Sequence, residues 1–204
     1  MQILRELCLE NKKQIDFAFW NKADRIELCS KLKYGGLTPK KKLVNYALEK
    51  SLDTVIMIRR RKFDFYDTEK DINKLIKQVQ YFNQTKIAGY VFGFLNKDNT
   101  INIEITKKFM SEVGQDKYVV FHMAFDLIQD KKQAIDQLIE LGVKRILTKG
   151  GNSCAINNIE SLKELKKYAK DKIEILIGGS VTKDNYLEIA NLTKINQLHG
   201  RKIY

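Results

Sequence analysis

Two segments of this 204-residue chain end alike: Arg5-Glu6-Leu7-Cys8 and Arg25-Ile26-Glu27-Leu28-Cys29. Each closes an apolar run with the composition of a β-strand. Side chains alternate faces along a strand, so Glu6 shares a face with Cys8, and Glu27 with Cys29. An acid beside a thiol offers two chemistries. The carboxylates can act as general bases. The thiolates are soft donors suited to Cu(I) or Zn(II). The plain alternative is that both cysteines are small buried hydrophobes, the usual fate of a free thiol. The chain has no Cys-x-x-Cys and no histidine at metal-ligand spacing, and its third cysteine, Cys154, stands apart.

Other residues with chemistry lie at the ends of further apolar runs. Arg59-Arg60-Arg61 follows the third run, where guanidiniums can hold a carboxylate or phosphate bidentately. They can equally pair with Asp64 and Asp67. His122 ends the fifth run, with Asp126 four residues on. Histidine changes charge near neutral pH, and a carboxylate can fix its tautomer. Gly150-Gly151 follows the sixth run and Gly178-Gly179-Ser180 the seventh, the latter just before a helical pattern beginning near Thr182. Such a turn can present backbone N–H groups to an anion, or simply supply positive φ. In Tyr34-Gly35-Gly36-Leu37-Thr38-Pro39, Thr38 suits an N-cap and Pro39 a first helical position.

These residues need elements to place them. The periodicity predicts strands at 3–8, 25–29, 54–58, 89–95, 118–121, 145–147, 173–177 and 195–199. Helical patterns fall between them at 11–21, 39–50, 68–84, 102–112, 130–141, 157–170 and 182–191. Strand–helix alternation of this kind indicates βαβ units and a parallel sheet. Eight units predict a TIM (β/α)8-type barrel with the last helix missing or truncated, one domain over 1–204, and its chemistry at the strand C-termini. The alternative is a doubly wound open sheet, and pairing of the eighth strand with the first decides between them.

Composition narrows the partners. The formal net charge is +12, but only seven of the 37 basic residues are arginine, and the lysines lie mostly on predicted helix faces. This reads as a solvated surface with some preference for small anions, and no specific nucleic-acid partner is expected. No apolar run approaches the ~18 residues of a membrane span, and no signal segment opens the chain. With three cysteines and no disulfide framework, a cytoplasmic location is expected.

The same residues, taken together, resemble the CutC copper-homeostasis family. The shared pieces are Glu6-Leu7-Cys8, Ala23 through Cys29, Gly35 through Pro39, and Ile58-Arg59-x-Arg61. They continue with Asp64-Phe65-Tyr66, Phe121-His122-x-Ala124-Phe125-Asp126, Leu147-Thr148, and His199 on the last strand. The resemblance implies a TIM barrel, a cytoplasmic copper-handling role, self-association into a homo-oligomer, and Cu(I) binding, for which Cys8 and Cys29 are the available positions. No organic cofactor is predicted. The chain departs from the family pattern at Met123, where arginine is usual, at Arg60, where proline is usual, and in stopping soon after His199.

Two functional expectations follow. One is a copper-binding protein using Cys8 and Cys29. The other is a barrel enzyme acting on a small anionic substrate, with a phosphorylated one among the candidates. In that reading Glu6 or Glu27 is the general base and His122, oriented by Asp126, an acid or base. Arg25, Arg59, Arg61 and the Gly178-Gly179-Ser180 turn would hold the anion. Against both stands a structural reading in which Glu27 pairs with Arg25 or Arg59.

Overall fold

The computed structural model describes residues 2–204. Eight strands form a closed, all-parallel barrel in sequence order: β1 (Leu4–Leu9), β2 (Arg25–Leu28), β3 (Thr54–Met57), β4 (Gly89–Phe92), β5 (Tyr118–Phe121), β6 (Arg145–Thr148), β7 (Glu174–Ile177) and β8 (Gln197–Gly200). β8 pairs back with β1, with Glu6 opposite His199, so the sheet is a barrel and not an open sheet. Seven helices intervene: α1 (Lys12–Trp20), α2 (Lys41–Glu49), α3 (Glu69–Phe82), α4 (Ile103–Met110), α5 (Lys131–Glu140), α6 (Ile159–Ala169) and α7 (Tyr186–Thr193). Among the described residues no helix follows β8, and none is long and apolar enough to cross a membrane.

Local chemistry explains most helix starts. The side chains of Asn11, Thr68, Asn102 and Asp130 accept from backbone N–H groups of the first turns of α1, α3, α4 and α5. Thr68 and Asp71 complete a capping box. Two predicted starts shift. Thr38 does not cap α2; its hydroxyl is engaged with the backbone N–H and carbonyl of Arg59, and the helix begins at Lys41 with Lys40 as N-cap. α7 begins at Tyr186, four residues beyond the Thr182 expected, because 180–185 form a turn in which Asn185 Oδ1 accepts from Thr182 N.

Alternation along the strands sorts the core. One set of side chains points outward against the helices, including Leu7, Leu9, Ile26, Leu28, Ile56 and Phe92. The other points into the barrel, where Val55, Met57, Val91, Val120, Leu147 and Leu176 pack around the two cysteines. At the N-terminal end of the barrel Arg145 and Gln197 bind Glu174, at 2.5 and 2.8 Å, and Arg25 reaches Gln197 at 3.0 Å. Arg25 also pairs with Glu6. This polar layer closes the bottom and leaves the C-terminal end open.

Candidate functional site

The open end holds a cavity of about 790 Å³, large enough for a metabolite. Its floor is built from strands β1, β2 and β8. Cys8, Glu27 and His199 each present one donor atom, all within 4.8 Å of one another, and all three residues are buried. Cys29, fully buried, lies against Cys8 and lines the same floor. Both predicted acid–thiol pairs therefore do point inward, and neighbouring strands bring them to one place. Gly36, at φ +88°, allows the close passage of its loop: a Cβ there would come within 3.0 Å of Cys29 Sγ.

The protons of this floor follow from its neighbours. Burial raises the Glu6 carboxyl, but the Arg25 cation and then the His199 contact outweigh it and hold it well below its ordinary value. The Cys29 S–H donates to Cys8 and, with the His199 cation, brings the Cys8 thiol down to about 5 against burial. Burial lowers His199, yet Cys8, Glu6 and Glu27 together raise it well above the usual imidazole range. Burial and then the Cys8 thiolate push Glu27 well up. Donation to Cys8, together with burial, does the same to Cys29. The resting floor is thus a Cys8 thiolate and a Glu6 carboxylate balanced by the His199 and Arg25 cations, with Glu27 and Cys29 neutral. Buried charge persists only when paired in this way.

His199 is the residue that sequence reasoning did not assign to the site. Its Nδ1 lies 2.8 Å from Glu6 Oε1, and its Nε2 lies 3.4 Å from Glu27 Oε2. A carboxylate on Nδ1 fixes the tautomer that offers Nε2 to a metal. The available signal was topological: once β8 closes on β1, an inward histidine at the end of β8 must meet the inward face of β1.

The remaining predicted residues divide. Arg25 sits beneath the floor, tied to Glu6 and Gln197, and does not line the cavity. Arg59 does line it. Its Nη1 donates to Tyr34 O and Gly36 O, each at 3.0 Å, while its Nε is buried without a partner. Neither Arg25 nor Arg59 pairs with Glu27, so the ion pair of the structural alternative is absent: Glu6 holds Arg25, and backbone carbonyls hold Arg59. Arg61 points away from the cavity and pairs with Asp64 and Asp71.

His122 also lines the cavity, but Asp126 does not orient it. Asp126 accepts from Thr148 Oγ1 at 2.5 Å and from Lys149 N at 3.1 Å. His122 Nδ1 instead accepts from Ala124 N at 3.1 Å, which puts its proton on Nε2, and that atom is buried without a partner. Burial and the nearby Arg59 cation lower its pKa to about 3, so the ring is neutral. Gly179 and Ser180 line the opposite wall, and Gly178 backs it against Leu147 and His199. The turn they form does not open directly into a helix.

A family model described as the CutC family matches residues 3–204. A family protein CutC from Aliivibrio fischeri (strain MJ11) is 36% identical over 201 residues, covering 98% of this chain and 81% of that protein. Another from Glaesserella parasuis serovar 5 (strain SH0165) is 35% identical over 195 residues, covering 95% and 80%. The crystal structure of CutC from Streptococcus agalactiae superposes with a TM-score of 0.94 at 34% identity, covering all of both chains. Deoxyribose phosphate aldolase from Aeropyrum pernix superposes at 0.71 with 10% identity, over 98% of this chain and 86% of that one, a likeness of fold alone.

Proposed function

The chain belongs to the CutC family, whose Streptococcus agalactiae member is described as a copper homeostasis protein, and on that premise we propose that it binds Cu(I) at the cavity floor, through the Cys8 thiolate and His199 Nε2, with Cys29 as a second thiol within reach. The observation that carries this reading is the convergence of Cys8, Glu27 and His199 donor atoms within 4.8 Å, beneath an open cavity. Thiolate and imidazole suit a soft monovalent ion, whereas the neutral Glu27 carboxyl adds little for it. Glu6 acts one step back, holding His199 by Nδ1.

Binding displaces the His199 Nε2 proton, so affinity rises with pH. We also propose that the protein works in the cytoplasm and self-associates through its α1 side. The test is an anaerobic Cu(I) titration against a chromophoric competitor. Cys8→Ser and His199→Gln are expected to lose the tight site, and Glu6→Gln to weaken it by roughly 10- to 100-fold. Unchanged affinity in Cys8→Ser would remove the proposal.

A further inference from the structure

Two groups in the cavity wall are not explained by copper. Arg59 and His122 are each more than nine-tenths buried. Arg59 Nε–H and His122 Nε2–H both lack a partner, although nearly every buried donor in a folded protein has one. They flank one ring: the Phe65 centroid lies 4.5 Å from Arg59 Cζ and 4.9 Å from the His122 centroid. All three residues line the cavity.

The rest of the lining has a consistent character. Arg201 and Lys202 add two more cations at the rim, and the only carboxyl in the lining is the neutral Glu27. Met57, Met123 and Leu147 supply apolar wall. The β7 turn does not run into a helix N-terminus, because α7 starts only at Tyr186 and the intervening Thr182 N and Lys183 N are bound by Asn185 Oδ1 and Lys202 O.

We propose that this cavity binds a small organic acid, its carboxylate taken by Arg59 Nε–H and the Nε2–H of neutral His122, and its apolar body lying along the methionine and leucine wall. Two buried N–H donors without partners, on residues lining one cavity, call for an acceptor with more than one oxygen, as a carboxylate is. Reaching both donors requires the Phe65 ring, which packs against each of them, to turn aside. The site shares the cavity with the copper reading but none of its ligands, so either can fail alone.

The test uses EDTA-washed protein, with sodium butyrate as the probe and butyramide and sodium phosphate as comparisons. Binding is followed by calorimetry and by the His122 ring resonances. Saturable butyrate binding that shifts those resonances is expected, with butyramide at least about tenfold weaker. His122→Asn keeps an acceptor for Ala124 N but withdraws the Nε2 donor, and should weaken butyrate at least about tenfold. Gly93→Ala is an independent second variant, since a Cβ there would lie 2.3 Å from His122 Cε1 and push the ring out of place. Arg61→Gln, on the same loop but outside the cavity, should bind as the parent does. The proposal is overturned if butyrate does not saturate, if both folded His122 and Gly93 variants bind it normally, or if Arg61→Gln loses it equally. Phosphate binding at His122 in preference to butyrate overturns the choice of carboxylate.

Discussion

At the scale of single residues, the two glutamates of the acid–thiol pairs have opposite states despite equivalent sequence settings. Glu6 is an ionised partner of Arg25 and His199, whereas Glu27 is neutral above the Cys8 thiolate. Replacing Glu6 with Gln leaves two buried cations short of an anion and should cost roughly 3 kcal/mol. Glu27→Gln replaces one neutral group by another and should cost less than about 1 kcal/mol. Urea unfolding of both variants measures the contrast, and equal losses would contradict the assigned protonation. Sequence alternation showed that both acids face inward. It did not distinguish them, because their states depend on Arg25, His199 and the barrel closure that brings those groups together.

His122 gives a pH dependence whose sign is fixed by its burial. It takes its proton near pH 3 when folded and near the ordinary 6.5 when unfolded. Between those values the unfolded chain holds more protons, so stability falls as pH falls, by at most about 1.4 kcal/mol per pH unit from this group. Acid groups with raised pKa, such as Asp67 at about 6, push the other way, so only a difference between proteins isolates the histidine. His122→Asn is expected to lose less stability than the parent between pH 7 and pH 5 in urea titrations. Parallel losses would mean that the ring titrates normally.

At the scale of elements, the site depends on how closely β8 and its loop approach their neighbours. A Cβ on Gly200 would sit 2.2 Å from the Val181 carbonyl oxygen, and that backbone has little room to yield. Gly200→Ala should therefore cost about 1–3 kcal/mol and, by shifting the strand that carries His199, weaken Cu(I) more than a similarly destabilising change in α5. A thermal melt beside the copper titration separates the two effects. The eight strands and seven helices were legible because their periods of 2 and 3.6 residues are local properties. The loops were less so. Thr38 has the chemistry of a cap, yet bonds Arg59 across 21 residues. Asp126 stands four residues from His122, yet binds Thr148 on the next strand. Such partners are chosen by the packed barrel and not by nearness in sequence.

At the scale of the whole molecule, the barrel's outer surface is uneven. One flank of the barrel lies between α7 and α1, over β8 and β1. Here that flank carries the segment 201–204, in which Ile203 is buried and Tyr204 stacks on Arg5 at 3.9 Å while accepting from Asp24 N at 2.7 Å. The helices on either side remain apolar on the outside. Trp20 is 76% exposed and Phe17 47% on α1, and Leu187 is 53% exposed on α7. Exposed aromatic and aliphatic side chains of this kind can mark a contact surface. Self-association through this flank should therefore depend on Trp20. Light scattering behind size exclusion is expected to show a dimer or larger species for the parent chain and a monomer for Trp20→Lys, with the proposed Cu(I) binding unchanged because Cys8 and His199 lie in the cavity at the barrel mouth. A parent chain that is monomeric at every concentration, or a Trp20→Lys protein that assembles normally, would place the apolar flank outside any interface between copies of the chain.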